Sequence, residues 1–88
     1  MSPAVLEVTF RKGRPLAAYL HLSAPKRRAR DTRRVAKGLV GDFGSRGDLL
    51  GIEILAFDKA TLKRINEVLV AYKAPKLSAS DLAPLRRG

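Results

Sequence analysis

Residues 38–55 read Gly-Leu-Val-Gly-Asp-Phe-Gly-Ser-Arg-Gly-Asp-Leu-Leu-Gly-Ile-Glu-Ile-Leu, with two apolar runs on either side of a segment rich in Gly, Asp and Ser. This pattern is typical of a β-hairpin whose polar segment forms the turn. Alternation in the second run predicts Leu50, Ile52 and Ile54 on one face of a strand and Leu49 on the other. The hairpin therefore favours an antiparallel sheet with one buried face and one face in water.

The start of the chain carries the same alternation in two further runs. Residues 5–10 (Val-Leu-Glu-Val-Thr-Phe) and residues 15–22 (Pro-Leu-Ala-Ala-Tyr-Leu-His-Leu) each predict a strand. The segment between them, Arg-Lys-Gly-Arg at 11–14, predicts a turn.

A polar connection separates these strands from the hairpin. Residues 23–34 contain Pro25 and many cations but almost no apolar side chain, so they cannot lie in a core. We interpret them as a long, mobile connection between strands. The third strand is then predicted over 35–43 and the fourth over 48–55.

A helix is predicted over 58–73. The short side chain of Asp58 can accept from the first free N–H groups, and Pro75 ends the helix. An apolar stripe at helical spacing suits packing on a sheet; it consists of Leu62, Ile65, Leu69 and Tyr72. The sequence thus predicts an α+β fold with an antiparallel sheet of three to four strands and one C-terminal helix on one face. The domain covers 1–75, and 76–88 form a flexible tail.

Composition excludes several classes of site. The chain has 88 residues, no Cys and one His, which excludes disulfides and argues against a zinc site. No apolar run reaches the roughly 20 residues that a membrane span needs, and the N-terminus lacks the pattern of a signal peptide. We therefore expect a soluble cytoplasmic protein with no cofactor, no metal and no membrane contact.

The charge of the chain bears on its partners. Eighteen Lys and Arg against eight Asp and Glu give a formal net charge of +10, and such an excess favours nucleic acid or another polyanion through counterion release. Seven cations lie close together: Lys26, Arg27, Arg28, Arg30, Arg33, Arg34 and Lys37. We predict that this basic arm binds phosphates without sequence preference, because it contains no aromatic residue for base stacking. The alternative is a solvated loop that only aids solubility.

The polar face of the predicted sheet offers two further interpretations. Its apolar residues are compatible with self-association as a homodimer or with a small protein partner; they are Val5, Tyr19, Leu49 and Leu55. His21 and Glu53 could act as acid and base, but polar residues alternate onto the wet face of any one-sided sheet. The sequence therefore predicts a protein that is not an enzyme.

The order of strands also resembles a small prokaryotic family, domain of unknown function 2283. Two motifs within residues 5–57 carry the resemblance. The first is Ala17-Ala-Tyr-Leu-His-Leu22, similar to the family's Ala-Leu-Tyr-Ile-x-Leu strand. The second is the hairpin with Gly38, Asp42, Phe43, Gly47 and Gly51-Ile-Glu-Ile-Leu55.

The resemblance implies a small uncharacterised domain without an established biochemical activity. Some members of that family lie beside small toxin-like proteins. The resemblance therefore implies, as the alternative function, a protein-interaction module with an antitoxin-like role that uses the exposed sheet face.

Overall fold

The computed structural model describes residues 5–22, 29–55, 62–78 and 80. Its strands and its helix follow in chain order as β1 (Val5–Arg11), β2 (Arg14–His21), β3 (Asp31–Ala36), β4 (Leu39–Phe43), β5 (Leu49–Ile54) and α1 (Leu62–Ala71). The α+β class and the single helix are confirmed for these ranges, but the sheet has five strands instead of three to four.

The additional strand comes from a reversal inside the segment that was predicted as one strand over 35–43. Ala36 pairs with Leu39 across a turn at Lys37 and Gly38, and Gly38 adopts a φ of 77°. A glycine takes this left-handed conformation without the steric cost of a Cβ. The chain therefore folds back there, and β3 and β4 replace the single predicted strand.

The prediction of a mobile connection over 23–34 is wrong for its last four residues. Asp31 to Arg34 belong to β3, which lies at the edge of the sheet and is exposed at all four of these positions. These four residues bury neither face and carry no apolar alternation, so periodicity could not reveal this part of the strand. Residues 23–28 lie outside the described residues.

The strands lie in the order β1-β2-β5-β4-β3, and every neighbouring pair is antiparallel. The β1–β2 hairpin turns through Lys12 and Gly13, whose φ angles are 53° and 77°. Two positive φ angles at the centre of a two-residue turn match the twist of the flanking strands. The turn predicted at 11–14 is confirmed.

The core lies between one face of the sheet and α1. Sheet residues Leu20, Ile52 and Ile54 are at most 1% exposed, and the helix contributes Ile65 and Leu69, both fully buried. Each such side chain contributes about 1.5–3 kcal/mol through removal of apolar surface from water. The predicted packing of the helix on one face is thus observed.

A bulge in β5 changes the predicted assignment of faces. Asp42 pairs with Gly51 and Phe43 pairs with Leu49, so Leu50 has no partner on β4. The extra residue turns Leu49 toward the core, where it is 8% exposed. The prediction that Leu49 lies on the wet face is therefore wrong, because strict alternation does not continue through a bulge.

The end of α1 is closed by a left-handed residue that is not glycine. Lys73 has a φ of 60°, and the amides of Lys73 and Ala74 donate to the carbonyls of Val70 and Leu69 at 3.1 and 2.7 Å. This bonding pattern is a Schellman motif. The helix ends at Ala71, two residues before its predicted end, and its predicted start and cap, Asp58, lie outside the described residues.

The first residues of the predicted tail contact the helix. The Asn66 side chain donates to the Leu77 carbonyl at 3.1 Å and accepts from the Leu77 amide at 2.8 Å. Leu77 also packs against the core. Within the described ranges, no helix combines the length and the apolar content needed to cross a membrane.

Candidate polyanion edge and open sheet face

The seven predicted cations divide into two groups. Lys26, Arg27 and Arg28 lie outside the described residues. The remaining four follow the edge strand β3: Arg30 directly before it, Arg33 and Arg34 within it, and Lys37 in the turn after it. We call the row of Arg30, Arg33, Arg34 and Lys37 the basic edge.

The basic edge is a line of charge with its two ends well apart. The backbone of Arg30 is held by a hydrogen bond from its amide to the Phe43 carbonyl at 2.7 Å. Lys37 lies at the other end of the six-residue strand, roughly 20 Å away for an extended chain. All four side chains are exposed, so the row can meet a ligand as an extended charge.

Arg33 and Arg34 point to opposite faces because they are adjacent in a strand. The Arg33 Nε forms an ion pair with Asp31 Oδ2 at 2.8 Å, and its guanidinium lies 4.1 Å from the centre of the Phe43 ring. Carboxylate and ring together hold this cation at the helix side of the sheet. Arg34 lies on the other face, so the two arginines do not form one bidentate site.

The face of the sheet turned away from α1 is called here the open face. Strand pairing arranges its side chains in two rows that cross the whole sheet. The first row is Glu7, Tyr19, Glu53, Val40 and Arg34, in the order β1 to β3. The second row is Val5, His21, Gly51, Asp42 and Thr32 in the same order.

Side chains of the open face are joined by hydrogen bonds and ring contacts. The Tyr19 hydroxyl donates to Asp42 Oδ2 at 2.7 Å, and the Thr32 hydroxyl donates to Asp42 Oδ1 at 2.7 Å. On the other side, His21 Nε2 lies 3.0 Å from Glu7 Oε1, and the Tyr19 and His21 ring centres are 4.6 Å apart. A continuous polar network therefore runs from β1 to β3.

Gly51 allows the Tyr19 side chain to cross β5. A Cβ at position 51 would overlap the Tyr19 ring and hydroxyl, so the ring passes directly over the glycine to reach Asp42. Burial raises the pKa of Tyr19 above its ordinary range, and the hydrogen bond to Asp42 and the charges of Asp42 and Glu53 act in the same direction. The hydroxyl therefore stays protonated and remains a donor.

The proposed acid–base pair is not assembled. His21 contacts Glu7, while Glu53 is paired across the strands with Tyr19 and Val40. Among the described residues, no group of three or more His, Cys, Asp or Glu side chains could hold a metal ion. The hydrogen-bond network of the open face thus joins His21 to Glu7, and among the described contacts none joins His21 to Glu53.

Sequence reasoning placed Tyr19 and His21 on this face but missed Asp42 and Thr32. Their contribution depends on β3 and β4 being separate strands. The available signal was Asp42 itself, a polar residue in an apolar run. Comparison of the chain with protein-family models gave no match, and comparisons with curated proteins and with solved structures gave no significant match.

Proposed function

We propose that this protein is a non-enzymatic module that binds nucleic acid or another polyanion through the basic edge, without sequence preference. The observation that supports the proposal is the alignment of four exposed cations along one edge strand, where only Asp31 carries an opposite charge. Lys26, Arg27 and Arg28 precede them in the chain and add to the same positive charge.

The dimensions of the basic edge suit a phosphate backbone. A row of about 20 Å spans roughly six phosphates of one DNA strand, which follow each other at about 3.4 Å along the helix axis. Arg33 is already paired with Asp31 and Arg34 lies on the open face, so Arg30 and Lys37, at the two ends of the row, are the cations proposed for new contacts. Contacts to phosphates carry no sequence information directly, which fits binding without sequence preference.

The open face itself is a poor surface for a polyanion. Glu7, Asp42 and Glu53 place three of the chain's eight carboxylates there. A phosphate backbone laid across the sheet would meet these charges. The proposal therefore confines polyanion contact to the edge and leaves the sheet face for another role.

The test is a fluorescence-anisotropy titration with labelled duplex DNA at several salt concentrations. Replacement of Arg30 and Lys37 by Ala is expected to weaken binding and to reduce the slope of log K against log salt by about 2, since each phosphate contact contributes about 0.9. The matched control is Lys63→Ala with Lys76→Ala, which removes the same charge from exposed positions on the helix side. Equal losses in both variants would reduce the effect to net charge and overturn the proposed site.

A protein-interaction module is the second candidate. Its support is that α1 packs on one face only, while Val5 and Leu55 on the open face are 55% and 59% exposed. The resemblance to domain of unknown function 2283 suggests an antitoxin-like partner for such a face. Retention of a small protein by the immobilised chain, lost when Leu55 is replaced by Lys, is the result that this candidate predicts.

A further inference from the structure

We propose that the open face is the contact surface of a symmetric homodimer whose two-fold axis runs along β5. This inference goes beyond polyanion binding and does not depend on it. It rests on the charge pattern of the first row, which is self-complementary in one orientation of the axis, and on the polar pair that the second row adds in that orientation.

The first row is acidic at one end and basic at the other. Glu7 lies on β1 and Arg34 on β3, at the same level of the sheet, because Glu7–Tyr19–Glu53–Val40–Arg34 is one continuous row of strand partners. A two-fold axis parallel to the strands and centred on β5 places β1 of one copy over β3 of the other. Glu7 then faces Arg34 of the second copy, and this pair occurs twice.

The second row is complementary in the same orientation. Rotation about β5 places β2 over β4 of the other copy, so His21 faces the second copy's Asp42. An axis perpendicular to the strands would instead place every strand over its own copy, so Glu7 on β1 could not reach Arg34 on β3. Opposite charges favour association at an interface, and the axis along β5 is the one that brings this pair together.

The side chains near the axis are aromatic, apolar or acidic. The Tyr19 ring lies over Gly51 and so meets its own copy near the axis, and Leu55, which is 59% exposed in the single chain, gains an apolar partner. Glu53 is the exception, because it faces its own copy across the axis. We therefore expect its neutralisation to strengthen the dimer, as removal of a like-charge pair should.

The size of the face sets the expected strength. Five strands about 4.8 Å apart and about 20 Å long outline roughly 500 Å², less than the roughly 800 Å² per partner of stable complexes. Face-to-face sheets of this kind pack about 10 Å apart at about −30°. The expected dimer is therefore weak and depends on protein concentration.

Sedimentation velocity of the full chain over a range of concentrations tests the proposal. The unchanged chain should dimerise. Glu7→Arg and Arg34→Glu should each raise the dissociation constant of the dimer at least tenfold. The double variant Glu7→Arg/Arg34→Glu should restore the dimer, because the pair is reversed. Glu67→Arg, an equal change at an exposed helix position, is the control and should leave the dimer unchanged.

A second measurement uses the absence of Cys from the chain. Leu55→Cys should be cross-linked into a dimer by a short bismaleimide, which bridges facing sheets about 10 Å apart where a disulfide cannot, whereas Val70→Cys, 53% exposed on the helix, should not. A chain that stays monomeric at all concentrations overturns the proposal. Three other results overturn it as well. These are a dimer whose dissociation constant is unchanged by the charge reversals, a double variant that folds but does not dimerise, and equal cross-linking at both cysteines.

Discussion

At the scale of single residues, Gly51 determines whether the open face can hold its network. Its missing Cβ leaves the space through which the Tyr19 ring reaches Asp42. The second carboxylate oxygen of Asp42 then accepts from Thr32. One glycine in the central strand thus links side chains of three other strands.

We expect Gly51→Ala to destabilise the protein by about 2–3 kcal/mol, the sum of overpacking and a lost hydrogen bond. The measurement is urea unfolding followed by circular dichroism. In a Tyr19→Ala background the same substitution should cost much less, because the ring that the methyl group meets is gone. An equal cost in both backgrounds would show that Tyr19 is not the cause.

For single residues, the sequence predicts which face of the sheet a side chain occupies but not which other side chains it contacts. Alternation was sufficient to place Tyr19 and His21 together on the wet side of β2. It could not pair Tyr19 with Asp42, which lies 23 residues away, since this contact depends on β4 lying two strands from β2. The sequence shows that the basic residues are clustered. Their arrangement along an edge of the sheet could not be predicted, because β3 was not predicted as a strand.

At the scale of elements, the residue that closes the end of α1 has a backbone conformation that is unfavourable for its residue type. Lys73 occupies the left-handed position that helices usually give to glycine. The two Schellman hydrogen bonds and the packing of Ala74 on the core hold it there. The strain of this conformation is a local cost that the rest of the cap offsets.

Lys73→Gly is expected to raise the free energy of unfolding by about 0.5–1 kcal/mol, because glycine adopts a φ of +60° without the clash of a Cβ. Thermal unfolding measures the change. Lys73→Ala removes the same charge but keeps the Cβ, and should give no such gain. Equal stabilisation by both variants would assign the effect to charge.

Element prediction succeeded for β1, β2 and β5 and failed for β3 and β4, which the sequence predicted as one strand over 35–43. β1, β2 and β5 alternate clearly, and their approximate bounds follow from the sequence. β3 is an exposed edge with cations on both faces, so no pattern marked it. The bulge at Leu50 could not be predicted from the sequence either. A bulge is defined by the pairing of a strand with its partner, and the partner strand was not known.

At the scale of the whole molecule, the α+β class could be predicted from two hairpin patterns and one amphipathic stretch of the sequence. The order of the strands in the sheet could not be predicted in this way. The described strands form a β1–β2 hairpin and a β3–β4–β5 meander, which meet in the sheet where β2 pairs with β5. Closing a connection of roughly 30 residues costs about 3 kcal/mol of chain entropy, and this cost is recovered only when both halves bury the shared core.

The position of β5 has a consequence during synthesis. It is the central strand of the sheet and, of the five described strands, the last to leave the ribosome. Until it arrives, β2 and β4 each present an unpaired inner edge, and such edges associate with other chains. We expect a chain that ends at Asp48 to be rapidly cleaved by protease and one that continues through β5 and α1 to Ser78 to gain strand signal and resistance. Equal resistance at both lengths would mean that the first four strands assemble without their centre.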